Sequence, residues 1–219
     1  MAFFITANIG RHVTVAETKR NIHRVRRSLH VPAFTFFQEI DEDDVANEHG
    51  LLRRAYHHDL FTWIGWETRE PIAVPEPWRV VKEWNTRVHG GIPGVTPARS
   101  INHALVSRGD TYLALVGAHA LNGREANDRN RHLWNAYFES LMGVADSYVQ
   151  EGHPVVWAGD MNADGRMPRI HDREHRVVSA YNDFIGFIPA GGIPKFKGSG
   201  KIDLTIDGHN AHWARLGLV

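Results

Sequence analysis

The sequence predicts one domain of the α/β or α+β class, on three observations: short apolar runs that close on a polar residue, stretches with helical spacing of apolar residues, and no linker, repeat or low-complexity segment from residue 1 to 219. A chain of 219 residues suits a single core, since cores seldom divide below about 250 residues. With 42% apolar residues there is enough side-chain mass to fill it.

Each element follows from its local pattern. Phe3 to Ile9 is an apolar run stopped by Gly10 and reads as a buried strand. Glu17 to Leu29 places Ile22, Val25 and Leu29 on one helix face, and Pro32 ends it. Ala33 to Ile40 reads as a second strand, and Phe61 to Trp66 is a short aromatic run. Residues 67–99 hold five prolines and the Gly90-Gly91 pair, so they read mostly as loop, with a strand near Trp78 to Trp84. Ile101 to Val106 and Thr111 to Ala118 flank Ser107-Arg108-Gly109-Asp110 and predict a hairpin. Asp128 opens the clearest helix, with Leu133, Trp134, Tyr137, Phe138, Leu141, Ala145 and Tyr148 recurring at three and four until Gly152 and Pro154 end it. Pro154 to Ala158 is a third buried strand, Val177 to Ile188 fits either a helix or a strand, and Lys201 to Ile206 and Ala214 to Val219 close the chain as strands.

Composition narrows the chemistry. Twenty-five basic residues balance twenty-five acidic ones, so a polyanion must be held by a local patch or by metal rather than by a global field. The absence of cysteine excludes a disulfide scaffold, a thiol nucleophile and a cysteine-ligated zinc. The first residues lack the basic and apolar regions of a signal peptide, and no run approaches the roughly 20 apolar residues of a membrane span. The expectation is a cytoplasmic protein with no membrane partner.

Polar residues gather where the predicted strands end: Asn8, Glu39, His119, Asp160 with Asn162, and Asp203. Strand ends fix a side chain while leaving it accessible. Carboxylates and amides are hard oxygen donors that suit Mg²⁺ or Mn²⁺. Phosphodiester cleavage needs neutralised phosphoryl oxygens, a water placed in line and a stabilised leaving oxygen.

The motifs in order are Thr6-Ala7-Asn8, Phe36-Phe37-Gln38-Glu39, Gly117-Ala118-His119, Gly159-Asp160-Met161-Asn162 after an apolar strand, and Lys201-Ile202-Asp203. This series resembles the endonuclease/exonuclease/phosphatase superfamily, the deoxyribonuclease-I-like phosphoesterases. The resemblance implies an α+β fold, a two-sheet β-sandwich flanked by helices in four layers, α/β/β/α, spanning residues 1–219 as one domain. It implies Glu39 as the main ligand of Mg²⁺ or Mn²⁺, with Asn8 supporting the metal or the phosphate. Asp160 would orient or activate the attacking water, Asn162 would help hold the phosphate, and His119 would donate to the developing charge. Asp203 would support a terminal histidine. The family carries that histidine in a Ser-Asp-His element, whereas here the corresponding stretch is Gly208-His209-Asn210-Ala211-His212-Trp213. Aligning the last strand puts His212 in the histidine position and Ala211 in the aspartate position. Asn122 and Arg124, after the His119 strand, are the expected substrate contacts. The implied activity is nucleic-acid phosphodiester hydrolysis, endo- or exonucleolytic, by direct attack of water. The alternatives are a phosphomonoesterase on a small or lipid-derived phosphate and an inactive binding module.

Other signals read as solvated surface. They are the His171 to His175 turn, His57-His58-Asp59, and the basic run from Lys19 to Arg27, which forms the outer face of an amphipathic helix.

Overall fold

A computed structural model describes residues 1–9, 14–41, 47–92, 97–121, 128–163, 167–206 and 209–218. In chain order the elements are β1 Ala2–Asn8, α1 Val15–Arg27, β2 Phe34–Gln38, α2 Glu48–Ala55, β3 Phe61–Ile64, β4 Ile72–Pro75, β5 Arg79–His89, β6 Arg99–Arg108, β7 Thr111–His119, α3 Asp128–Gln150, β8 Val155–Asp160, β9 His175–Ala180, β10 Asp183–Ile188, β11 Lys195–Ile206 and β12 His209–Gly217. The strands form two six-stranded sheets, ordered β11-β12-β1-β2-β4-β3 and β5-β6-β7-β8-β10-β9.

Two-residue periodicity explains how the layers stack. Phe4 on β1 and Phe34 and Phe36 on β2 meet Leu115, Val156, Ile185 and Phe187 of the other sheet in a core between the sheets. The alternate residues Ile5, Ala7 and Phe37 turn outward and pack beneath Ile22 and Val25 of α1 and Leu51 and Leu52 of α2. The second sheet sends Ala114, Val116, Val155 and Trp157 outward against Trp134, Tyr137, Leu141 and Ala145 of α3. The order is therefore helices, sheet, sheet, helix, the predicted four-layer sandwich. α1 is closed at its start by a capping box between Thr14 and Glu17, which satisfies backbone amides that the first turn leaves open.

Two expectations change. Residues 67–99, read mostly as loop, supply β4 and the eleven-residue β5. The described prolines fall at strand boundaries, Pro71 just before β4, Pro75 at its end, Pro77 before β5 and Pro97 before β6, where a missing amide costs little. The ambiguous stretch Val177 to Ile188 is a hairpin of β9 and β10, because Asp183 to Ile188 is a continuous buried run pairing with β8. α2 has no counterpart in the sequence reading. Among the described residues, no helix is long and apolar enough to cross a membrane.

Candidate active site

The inward-facing rows of both sheets end on polar residues at the same rim. On β1 the row is Phe4, Thr6, Asn8. On β8 it is Val156, Ala158, Asp160. On β10 it runs back from Phe187 through Ile185 to Asp183, and on β7 from Leu113 through Leu115 to His119. Register aligns them, since His119 is opposite Asp160 across the parallel pair β7–β8, and Asp183 is opposite Asp160 across the antiparallel pair β8–β10. Three titratable side chains thus stand in one row at the ends of three adjacent strands. β7 and β8 approach closely at this point, where a Cβ on Gly159 would lie 1.8 Å from the Ala118 carbonyl oxygen. Only glycine fits there, which gives the residue before Asp160 a mechanical reason.

Glu39 reaches the rim differently. Continued alternation past Phe37 would send it outward, but its φ of 61° lies in the left-handed region and breaks the alternation. Such a backbone costs roughly 1–2 kcal/mol in a non-glycine residue and persists only where the surroundings impose it. They do so here, as Ile40 N–H donates to the Arg69 carbonyl at 3.0 Å, and Asp41 and Glu48 accept from each other's backbone amides at 2.6 and 2.9 Å.

Asp160 is the hub. It accepts from Asn8 Nδ2 at 3.1 Å and from the Asn162 backbone amide at 2.9 Å, and His209 Nδ1 lies 4.0 Å from the same oxygen that Asn8 holds. Burial raises its carboxyl above the ordinary aspartate range, and the Asn162 amide, His209, Asn8 and Arg99 oppose that rise. Asn162, at φ 47°, bonds the Ala120 carbonyl through Nδ2 at 2.9 Å, and Trp134 of α3 donates to the Met161 carbonyl at 2.9 Å. The loop that carries the Asp and Asn is thereby tied to strand and helix alike.

His119 is buried between two carboxylates. Its Nε2 is 3.6 Å from Glu39 and its Nδ1 is 3.5 Å from Glu70, which in turn is 3.9 Å from Arg99. Asn102 holds the Glu70 segment by donating to the Glu70 carbonyl at 2.8 Å. Asp183 is pushed well above the ordinary aspartate range, first by burial and then by the charges of Asp160 and Glu39. Glu39, His119 and Asp160 bring ligand atoms within 4.8 Å of one another, and so do Asp160, Asp183 and His209. Three carboxylates at one rim repel each other, and Asp183 Oδ1 is buried without a hydrogen bond. An oxygen-rich rim of this kind fits a divalent cation.

Of the residues singled out in the sequence, the structure brings Asn8, Glu39, His119, Asp160 and Asn162 together. It does not bring Asp203 and His212 there. Asp203 is 78% exposed on the edge strand β11 and pairs with Lys201 at 2.6 Å, which with that cation's charge holds its carboxyl low. His212 sits opposite Thr6, one inward-facing step below Asn8, and burial and the Lys201 charge lower its ring pKa rather than raise it. His209 stands beside Asp160 in its place, because the register between β11 and β12 shifts between Ile202 and Ile206 and moves the start of β12 to the rim. Asn122 and Arg124 lie outside the described residues. Glu70, Arg99 and Asp183 are absent from the sequence reading. Each stands at or just before the start of an antiparallel strand, so a polar residue preceding an apolar run was the signal.

No family model and no curated protein sequence matches the chain. Solved structures do. An endonuclease/exonuclease/phosphatase from Bacteroides vulgatus is 14% identical, with a TM-score of 0.75 over 100% of this chain and 99% of that one. TDP2 from D. rerio complexed with single strand DNA product is 13% identical, with a TM-score of 0.69 and 97% of each chain covered. A mannosyl-6-phosphatase from Bacteroides thetaiotaomicron is 10% identical, with a TM-score of 0.67 and 99% of each chain covered.

Proposed function

We propose that this chain, which has the endonuclease/exonuclease/phosphatase fold, is a divalent-metal-dependent phosphoesterase that hydrolyses phosphodiester bonds in nucleic acid by direct attack of water. The observation that carries the reading is the convergence of Asn8, Glu39, His119, Asp160, Asp183 and His209 on one rim. The rim is rich in carboxylate, and two imidazoles are held against it. The similarity in fold to a protein complexed with single strand DNA product supports the choice of polymer.

Glu39 would hold Mg²⁺ or Mn²⁺ with help from Asn8, and the bound ion would supply charge neutralisation at a phosphoryl oxygen. Asp160 accepts a proton from water as the new O–P bond forms and the bond to the leaving oxygen breaks. Its raised pKa makes it a better base than an exposed aspartate at neutral pH. The Asn162 amide and Asn8 fix its two oxygens, so the proton acceptor has one orientation. His119, whose ring lies between Glu39 and Glu70, and His209, beside Asp160, would donate to the developing phosphoryl charge.

Incubation with labelled single- and double-stranded DNA, RNA and a sugar phosphate, each with Mg²⁺, Mn²⁺ or chelator, tests the proposal. The expected result is metal-dependent cleavage of a nucleic acid, abolished by chelator, with Glu39→Gln needing at least about tenfold more metal. Turnover of the sugar phosphate alone would transfer the reading to a phosphomonoesterase, the activity named for one structural neighbour. Turnover of none of these substrates would favour a binding module.

A further inference from the structure

The longest stripe of like charge on this neutral chain lies on α1. Lys19, Arg20, His23, Arg24 and Arg27 recur at i, i+1, i+4, i+5 and i+8, so they share one helix face in three levels about 6 Å apart. Together with Ala16 they line an open groove of about 580 Å³. The opposite face, Thr18, Asn21, Ile22 and Val25, is buried in the sandwich. Arg26 points elsewhere, its guanidinium 4.9 Å from the centre of the Phe61 ring.

The charge of the stripe is largely uncompensated. Glu17 is 4.0 Å from Arg20 but is committed to the Thr14 cap. Arg24 donates to the Asp203 carbonyl at 3.3 Å, and the Asp203 carboxylate, whose ion pair is with Lys201, offsets the Arg24 charge only in part. Lys19 and Arg27 have no carboxylate within ion-pair distance among the described residues. The ring of His23 senses this, since burial and then the charges of Arg27 and Lys19 lower its pKa. A helix amphipathic in this way does not suit a lipid surface, because membrane-bound helices bury an apolar face in the interface and this one has given its apolar face to the core. Levels of cations about one turn apart, with flexible stems lining the groove, suit successive phosphates along a strand.

We infer that the α1 groove is a second, non-catalytic binding site for the phosphate backbone of a nucleic-acid strand, which it holds while the rim acts on a distant phosphodiester of the same strand. This rests on the nucleic-acid reading of the rim, and the test separates the two.

The test compares the wild type with a variant carrying Lys19→Gln, Arg20→Gln, Arg24→Gln and Arg27→Gln. Glutamine keeps the helix propensity, and circular dichroism checks the fold. Binding of a fluorescein-labelled single strand is measured by anisotropy in chelator, so that nothing is cleaved, over a range of salt. The variant should bind at least about tenfold more weakly, with a log–log salt slope smaller by roughly 2–3, as four lost phosphate contacts require. The His23 ring pKa in the wild type should rise when the strand is added. Both proteins should hydrolyse bis(p-nitrophenyl) phosphate at the same rate with metal. Equal affinity and slope in the two proteins, or no binding by the wild type, overturns the groove. Stronger retention of the wild type on phosphatidylserine vesicles than on the strand, lost in the variant, overturns it in favour of a membrane surface. Failure of the small diester in both proteins counts against the rim reading alone.

Discussion

Asp160 and Asp203 are the same residue type at comparable places in sequence, each near the polar end of an apolar run, and their surroundings differ in every respect. Asp160 is buried, shared by Asn8, the Asn162 amide and His209, and raised in pKa. Asp203 is exposed, paired with one lysine and lowered in pKa. The difference is one of place in the sheet. Asp160 closes a row between the sheets on β8, which has a strand on each side, whereas Asp203 lies on the edge strand β11, across the strand from Ile202, which packs beneath the helices, and faces water. A carboxylate acquires chemistry from the neighbours its strand gives it rather than from the motif it sits in.

The comparison predicts a graded set of outcomes. Asp160→Asn should lower turnover by roughly 10³-fold with no fall in thermal midpoint, because it removes the proton acceptor and keeps the shape. Wild-type turnover in folded protein would remove Asp160 from the chemistry. His209→Ala should cost about 10²-fold in turnover, while His212→Ala changes it by roughly threefold or less. The reverse order would mean that the β11–β12 register places the wrong ring at the rim.

The pH dependence of stability comes next. Asp160 and Asp183 have folded pKa values raised above the unfolded value of about 3.9, so the folded state binds their protons more tightly than the unfolded state does. Their stabilising contribution is complete below that pH and is lost as pH rises through the raised values. Metal-free protein should therefore lose thermal stability over that window, and Asp183→Asn should flatten the loss. Added Mg²⁺ should raise the midpoint more at the alkaline end, where the carboxylates are charged. A midpoint in chelator that does not fall across this range in the wild type would contradict the burial argument. The smallest effect belongs to Asp203→Ala, which should leave turnover and thermal midpoint unchanged within error, and a measurable loss of turnover would restore a role at the rim.

Much of the fold was legible because alternation and helical spacing are local. The row Phe4, Thr6, Asn8 and the periodic face of α3 can be read one residue at a time. The site was legible only in part, for a topological reason. Asn8, Glu39, His119 and Asp160 end strands that run toward the rim. Glu70, Arg99, Asp183 and His209 stand at the beginnings of strands that run away from it. A criterion that looks for a polar residue after an apolar run finds the first set and is blind to the second. Asparagine readily takes a positive φ, as Asn162 does, but nothing local in Glu39 signals one, and there long-range contacts impose it. The choice of His212 over His209 turned on a register shift, and register is set by partner strands rather than by the strand itself.

The place of β1 in its sheet has a consequence for how the protein is made. β1 is paired on one side with β2, which follows soon after it, and on the other with β12, whose residues come from the far end of the sequence. During synthesis the early strands therefore wait with one edge bare, and bare edges invite pairing with other chains. The rim waits with them, because His209 arrives on the last strand and closes its half of the constellation with Asp160 and Asp183. A nascent chain can carry most of its sandwich and still lack the second imidazole, so the constellation proposed for hydrolysis is complete only when β12 docks. For a protein proposed to cut nucleic acid, made alongside the messenger that encodes it, that order of assembly is a built-in delay.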